Sequence, residues 1–306
     1  MRGALTVIVA AAAMAALAGT ASSSRSDVWH RLRRPLHIPH IRPGAPCPSS
    51  SADHSFDFLA HGVSQGYRPG PAYPIFPGAP QTASLEFDYP SPYGGRWSGQ
   101  KVLWFLRPGF GERVLVRGRQ LDGPYRVRFG ELPPPFLPAD ELRLTVGGSP
   151  STTRLRTGGC YGYQIDGPSY SRVIVFQAKL NCLAARVQED AVRAGPFTGR
   201  ISPRYDVVDG RFRLHVGLYR DRATGLSQKI PWFLSSSVRG GGSLVVRGQR
   251  LAPPRGSFSQ TFQRAFVAKT DQQVYPSALA PPRAGCWRLN FRTAAVKASL
   301  IVRVAG

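Results

Sequence analysis

A Gly-x-Ser-x-Gly pattern at 62–66 would hold a nucleophilic serine if this chain were a hydrolase. In such enzymes the spacing places the serine on a strained turn between a strand and a helix. Ser64 is instead followed by Tyr-Arg-Pro-Gly-Pro at 67–71, which cannot begin that helix. His215 is the one downstream histidine that would be available as a base. The pattern therefore predicts a Gly/Ser-rich loop.

Paired carboxylates are a second source of chemistry, because two facing acids can act as general acid and base. Asp140–Glu141 and Glu189–Asp190 are adjacent pairs, but neighbours on a strand point to opposite faces. The chain has 17 acidic residues against 40 basic ones, so we expect most carboxylates to pair with arginine. We predict no catalytic residue. An extracellular hydrolase with carboxylates at a domain junction is the alternative.

The spacing of His37 and His40 would supply two metal ligands. No cysteine or carboxylate pattern completes a site around them. Four prolines interrupt 25–46, so the segment is predicted to be an extended basic linker with solvated histidines. The sequence predicts neither a metal site nor a cofactor.

The first 24 residues have the parts of an export signal. Arg2 supplies a positive start, 5–17 form an Ala-rich apolar run, and small residues at 16–21 offer cleavage sites. A spanning helix needs roughly 20 strongly apolar residues, and no later run is long enough. We expect a secreted or cell-envelope-associated protein with no membrane span after signal cleavage.

The secondary-structure elements that would position any site belong to an internal sequence repeat. Three blocks recur in the same order: 98–106 and 226–234, 114–121 and 244–251, 150–161 and 276–287. They share Gln-Lys with Trp-Phe-Leu, Arg-Gly, and Gly-Cys-aromatic, respectively. Collinear matches of this kind indicate two copies of one domain. The predicted domains are 47–180 and 181–306.

Each copy has the pattern of short strands. Residues 142–146 and 211–218 alternate apolar with polar or small side chains, and Asp-Gly and Gly-Gly turns separate such runs. About seven strands per copy predict an all-β protein of two tandem immunoglobulin-like antiparallel β-sandwiches. Leu183–Arg193 is the one stretch with helical spacing, and it is predicted as a helix.

An even number of cysteines in an exported protein indicates disulfides. Each copy has one cysteine at its start, Cys47 or Cys182, and one in the Gly-Cys-aromatic block, Cys160 or Cys286. The repeat therefore predicts Cys47–Cys160 and Cys182–Cys286. The rival arrangement pairs Cys160 with Cys182 across the domain junction.

Several of these motifs resemble a group of exported bacterial proteins. The motifs are Cys-Pro at 47–48, Arg-Gly strands at 117–121 and 247–251, and Gly-Cys-aromatic at 159–161 and 285–287. The group has immunoglobulin-like domains closed by a Gly-Cys-Trp or Gly-Cys-Tyr strand and has no assigned activity. The resemblance implies the fold and no catalytic residues. This chain departs from the usual pattern by carrying two copies, the first with Tyr in place of Trp.

The formal net charge of +23 comes mostly from 35 arginines against five lysines. Outward-facing arginines on alternating strands are the candidate anion-binding residues: Arg126, Arg128, Arg211, Arg213, Arg288 and Arg292. An anionic cell-envelope polymer or another surface protein is the expected partner. Export and the lack of a helix-turn-helix or zinc-finger pattern disfavour nucleic acid. A G+C-rich coding bias explains the arginine-to-lysine ratio better than any single ligand does.

The aromatic residues divide into core and contact candidates. Trp104 and Trp232, at equivalent positions of the repeat, are expected in the cores, because large aromatics dominate sandwich cores. Trp97, Tyr89 and Tyr93, in the Pro/Gly-rich loop 88–99, are predicted to be surface aromatic contacts. The predicted role is a non-enzymatic, surface- or envelope-associated binding or structural protein.

Overall fold

Alternation of apolar and polar residues makes most of this chain extended. The computed structural model describes residues 23–91, 97–110, 113–130, 138–145, 149–201, 206–218, 228–235, 238, 242–266 and 273–306. Within these ranges the structure is 52% strand and 3% helix, and the prediction of an all-β, immunoglobulin-like fold is confirmed. Of the predicted signal at 1–24, residues 1–22 lie outside the described residues, and so does Tyr93.

The first sandwich is built from the first nine strands. They are β1 (Ala72–Ile75), β2 (Ser84–Tyr89), β3 (Ser98–Leu106), β4 (Val114–Gln120), β5 (Arg128–Phe129), β6 (Leu142–Leu144), β7 (Ser149–Leu155), β8 (Gly159–Asp166) and β9 (Ser171–Cys182). The two sheets have the orders β1-β3-β7-β5 and β2-β9-β8-β4-β6. β2 runs parallel to β9, which departs from the antiparallel sheets that the sequence predicts.

The second sandwich repeats this plan. Its strands are β10 (Ala191–Ala194), β11 (Phe197–Arg200), β12 (Val207–Val208), β13 (Arg211–His215), β14 (Ile230–Leu234), β15 (Leu244–Arg250), β16 (Ser257–Phe262), β17 (Ala265–Phe266), β18 (Gln273–Ser277), β19 (Gly285–Arg292) and β20 (Lys297–Ala305). The sheets have the orders β10-β11-β14-β18-β17 and β12-β13-β20-β19-β15-β16. β13 runs parallel to β20, as β2 does to β9.

Each sandwich closes around its own apolar core. Trp104 in β3 and Trp232 in β14 are fully buried at matching positions. The ring centroid of Trp104 lies 5.1 Å from that of Tyr163, and the ring centroid of Trp232 lies 4.5 Å from that of Phe291. Truncating such a side chain costs about 3–5 kcal/mol. The expectation that both tryptophans are core residues is confirmed.

The Gly-Cys-aromatic motif starts the second-last strand of each sandwich. Gly159 has a φ of 145° and Gly285 a φ of 130°, a region that residues with a Cβ rarely adopt. Because side chains alternate along a strand, Tyr161 faces the core while Cys160 lies on the opposite face. The motif therefore places each cysteine outside the core.

Two disulfides tie these cysteines to the chain that precedes each sandwich. They join Cys47 to Cys160 and Cys182 to Cys286, which is the pairing that the repeat predicts. Cys182 is the last residue of β9, two residues beyond the predicted domain boundary at 180. The second disulfide therefore bonds the first sandwich covalently to β19 of the second.

Residues 25–46 differ from the extended, solvated linker that the sequence predicts. The described part of the chain starts with α1 (Ser23–Leu32), and Ile38, a few residues later, is only 1% exposed. Ile38 packs on Leu121 and above Gly162, where an added Cβ would lie 2.8 Å from the Ile38 Cγ2 atom. The prolines end the helix, but they do not prevent the Ile38 side chain from packing into the space above Gly162.

Leu183–Arg193, predicted as a helix, forms no helix. Gln188 and Ala191 pair as a β-bridge around Glu189 and Asp190, whose φ angles are 48° and 57°. Positive φ is incompatible with a right-handed helix. Strand pairing into β10 prevails here over the apolar spacing.

Candidate functional site

The two sandwiches meet where β2 and β9 end. Tyr89, the last residue of β2, is packed among Leu251, Cys286 and Ile301 of the second sandwich. The equivalent apolar patch on the first sandwich is formed by Leu121, Cys160 and Val175, and Ile38 lies against it. The chain before each sandwich thus packs on the same part of the repeat, and on the second sandwich this contact leaves a cleft beside it.

One wall of the cleft is a ladder of arginines and aromatic rings. The guanidinium carbon of Arg255 lies 4.9 Å from the ring centroid of Tyr125, and that of Arg156 lies 5.7 Å from the same ring. Arg156 is also 4.6 Å from the ring of Trp97, which Arg128 approaches to 5.3 Å. Cation–π contacts of this kind stabilise by roughly 0.5–2 kcal/mol each. The ladder holds the guanidinium groups at fixed places.

Local sequence explains how Arg255 reaches Tyr125. Arg255 belongs to the loop 252–256, which follows the repeated Arg-Gly strand β15, as 122–126 follows β4. Its Pro-Pro pair restricts the backbone. The loop lies close to the N-terminal segment as well, because a Cβ built on Gly44 would contact Pro254 at 3.7 Å.

Arg288 and Arg250 form the opposite wall. The Arg288 guanidinium lies 5.4 Å from the ring of Tyr89, and burial lowers the pKa of Arg288. Arg250 donates hydrogen bonds to the carbonyls of Ala284 and Ala252 at 2.9 and 3.1 Å. Burial, together with the nearby charge of Arg283, lowers the pKa of Arg250.

The resulting cleft has a volume of about 680 Å³. Four arginines line it (Arg156, Arg250, Arg255 and Arg288), with Tyr89, Tyr125, Gln249, Asn290, Thr157 and Ser257 among the other polar and aromatic residues. None of the described lining residues is an aspartate or glutamate. The Arg156 Nε atom is buried there without a hydrogen-bond partner in the described structure. Guanidinium groups held in this way suit a carboxylate, phosphate or sulfate group.

Of the six arginines singled out from the sequence, Arg288 alone lines this cleft. Arg128 lies next to it through Trp97 and forms an ion pair with Asp140 at 2.9 Å. Arg126 is exposed near the end of β4. The first sandwich thus contributes one of these arginines to the neighbourhood of the cleft.

The remaining predicted arginines are spread over the second sandwich. Arg211 donates to the carbonyl oxygen of Ala184 at 2.8 Å, and Arg213 lies opposite Arg303 in the sheet. Arg292 is exposed at the far end of β19 from the cleft. The structure does not bring the six together.

Two of the three aromatic candidates are described, and both differ from surface loop residues. Tyr89 is the last residue of β2 and only 2% exposed, because the second sandwich covers it. Trp97 is half-buried between Arg128 and Arg156. Tyr93 falls outside the described residues.

The candidate catalytic pairs do not converge on this cleft. Asp140 pairs with Arg128, and Glu141 pairs with Arg33 and Arg143. A second hollow lies beside the cleft, next to both disulfides, and among its described lining residues Asp122 is the one acid. Asp122 accepts a hydrogen bond from the Cys160 backbone N–H at 3.1 Å. Burial raises the pKa of Asp122.

The other chemistry-bearing motifs also lie apart from the cleft. Ser64 is exposed after the 3-10 turn Leu59–His61, and no helix follows it before β1. His37 and His40 are exposed. Among the residues that the structure describes, no group of three His, Cys, Asp or Glu could hold a metal ion. Across those same ranges, no helix is both long and apolar enough to cross a membrane.

Sequence reasoning missed Tyr125, Arg156, Arg250 and Arg255. A signal for two of them was present in the repeat, because Arg250 belongs to the Arg-Gly-Gln-Arg-Leu block and Arg255 to the loop after it. What the repeat does not reveal is that this loop faces Tyr125 of the other copy. That contact depends on how the two sandwiches pack.

No known family profile matches the chain, and no curated protein matches it. Among solved structures the chain is similar to the BSP domain of a biofilm-associated protein, with 12% identity over 72% of this chain and a TM-score of 0.21. It spans 28% of that protein's length. It is also similar to a titin substructure, with 11% identity, 73% of this chain and 95% of that one covered, and a TM-score of 0.20. A third is the titin pair Z1Z2 in complex with telethonin, with 11% identity, 72% and 92% covered, and a TM-score of 0.20.

Proposed function

We propose that this protein is an exported, non-enzymatic binding module that attaches to anionic polymers of the cell envelope. The observation that carries the proposal is the junction cleft, where four arginines surround a space whose described lining has no carboxylate. Its ligand is the repeating anionic group of such a polymer.

Electrostatics supports an anionic occupant. Like charges held close together and partly desolvated repel one another, and an anion between them relieves this repulsion. The lowered pKa values of Arg250 and Arg288, both caused first by burial, report that desolvation. Guanidinium groups also bind carboxylates and phosphates through two parallel hydrogen bonds.

The compartment fits this role. Two disulfides in one chain are typical of proteins that mature in an oxidising environment. The predicted signal at 1–24 would deliver the chain there. Polymers with repeated carboxylate or phosphate groups are abundant partners for a basic protein in that location.

Binding of labelled hexagalacturonate and retention on isolated cell envelopes test the proposal. The double variant Arg255→Gln/Arg288→Gln should weaken hexagalacturonate binding and envelope retention by about tenfold or more. The remaining binding should depend less on ionic strength between roughly 50 and 500 mM salt. The matched control is Arg172→Gln/Arg193→Gln, which removes two exposed charges away from the cleft. Equal losses in both variants, or binding that ignores salt, would contradict the proposal.

A further inference from the structure

The N-terminal segment 33–41 lies along the outer face of β4 and β8 in the first sandwich. The side-chain amide of Gln164 makes two hydrogen bonds to the main chain of this segment. It accepts one from the His37 N–H at 2.7 Å and donates one to the Pro35 carbonyl at 2.9 Å. Arg117 and Arg119 donate to the carbonyls of Arg34 and Ile38. Side-chain groups of this face thus hold an irregular peptide by its main chain.

The repeat places the same kinds of residue on the second sandwich. Arg247 is the counterpart of Arg117, Gln249 that of Arg119, and Asn290 that of Gln164, since Arg117 pairs with Gln164 across the sheet as Arg247 does with Asn290. An amide therefore again lies beside an arginine at the centre of the face, where it is able to donate to a carbonyl and accept from an N–H.

The outer faces of the two sandwiches differ in how far their side chains are exposed to solvent. Gln164 and Asp166 are 0% exposed beneath the segment 33–41. Their counterparts Asn290 and Arg292 are exposed, and so is Arg247. A groove of about 640 Å³ lies over this part of the second sandwich, lined by Val245, Arg247, Asn290, Phe291, Arg292, Lys297, Ala298 and Ser299.

Charge is inverted between the faces. On the first, Asp166 is ion-paired with Arg117 at 2.6 Å, and the covering segment is basic. On the second, Arg292 replaces Asp166 and lies opposite Lys297, and no described residue lining the groove is acidic. The basic segment 33–41 therefore suits the first face and not the second.

We propose that the open face of the second sandwich binds an extended acidic polypeptide segment, along β15 and β19 as segment 33–41 lies along β4 and β8. The carboxylates of this segment are attracted by Arg247, Arg292 and Lys297. The side-chain amide of Asn290 forms hydrogen bonds with its main chain. The amide at Asn290 favours a peptide over a polysaccharide, because paired donor and acceptor groups at this spacing match a peptide backbone. This partner would be an acidic segment of another protein, and the inference does not depend on the junction cleft.

Fluorescence anisotropy with a labelled Glu-Ser decapeptide of alternating sequence tests it, with a Lys-Ser decapeptide and hexagalacturonate as comparison probes. Arg247→Gln/Arg292→Gln should weaken Glu-Ser binding about tenfold or more, whereas the charge-matched Arg172→Gln/Arg193→Gln should leave it within about twofold. Asn290→Ala should also weaken binding of the Glu-Ser peptide, and Arg247→Gln/Arg292→Gln, whose residues do not line the junction cleft, should leave hexagalacturonate binding within about twofold.

Three results would overturn the inference: Glu-Ser binding no tighter than Lys-Ser binding, equal losses in the groove and control variants, or Arg247→Gln/Arg292→Gln weakening hexagalacturonate as much as the peptide. The cleft variant Arg255→Gln/Arg288→Gln separates the two proposals. If it loses hexagalacturonate and keeps the Glu-Ser peptide, the groove acts independently. If it loses both equally, the peptide is bound in the cleft and the groove proposal fails.

Discussion

Gln164 and Asn290 stand at the same place in the two copies of the repeat, one fully buried and the other exposed. The difference arises in the chain that precedes each sandwich. Before the first sandwich, 33–41 is long enough to cross the outer face of β4 and β8. Before the second, the chain leaves β9 at Cys182 and is bonded at once to Cys286. The first sandwich thus has its outer face covered by segment 33–41 of the same chain, whereas the equivalent face of the second sandwich, on β15 and β19, is exposed to solvent.

The largest expected difference comes from the arginine at the centre of each face. Arg117→Met leaves Asp166 buried without its ion-pair partner, and we expect the free energy of unfolding to fall by about 3 kcal/mol. Arg247→Met removes an exposed side chain and should change it by less than about 0.5 kcal/mol. Chemical denaturation measures both. Similar losses from the two substitutions would mean that the faces are not distinct.

Two reciprocal substitutions, Gly162→Arg and Arg288→Gly at its counterpart, test whether the two faces differ in what they can accommodate. Gly162→Arg forces a side chain against Ile38, which should destabilise the protein by about 1–3 kcal/mol and lift segment 33–41. Trypsin should then cleave after Arg33 faster than in the unmodified protein. In Arg288→Gly, cleavage at this site should be unchanged. Unaltered cleavage in Gly162→Arg would show that Ile38 does not anchor the segment.

The smallest effect concerns the pH dependence of the covered face. Burial raises the pKa of Glu141, but hydrogen bonds from Arg33 and Arg143 outweigh this and leave it below the usual 4.5. Stability from this group is present above pH 4.5 and is lost as the pH falls through the lower folded value. The loss should be under about 1 kcal/mol. Hydrogen exchange at 33–41 between pH 6 and pH 3 measures it, and Glu141→Gln should remove this pH-dependent step.

The sequence predicts the parts of the fold that repeat. Matching Trp, Arg-Gly and Gly-Cys blocks locate β3, β4 and β8 and their counterparts, because each block combines a core residue with a local backbone requirement. Gly159 and Gly285 show this, since the same positive φ recurs before each cysteine. The disulfide pairing follows from the same reasoning.

Contacts between copies could not be predicted in the same way. Ile38 looks like one apolar residue in a basic, proline-rich stretch, and its burial depends on Gly162, far away in the chain. Tyr89 looks like a loop residue, and it is buried by Leu251 and Ile301 of the other copy. The apolar spacing of Leu183–Arg193 suggested a helix because it does not reveal the turn at Glu189 and Asp190. Such features depend on packing between distant segments.

The two disulfides also determine how far the chain can lengthen when it is pulled from its ends. They enclose sequence separations of 113 and 104 residues, so a tensile load passes from Cys47 directly to Cys160 and from Cys182 directly to Cys286. Between Cys47 and Cys286 only the stretch 160–182 is free to extend, to about 75 Å instead of about 800 Å for the unbridged chain. Even with both cores unfolded, the part of the protein between Cys47 and Cys286 would remain a short tether.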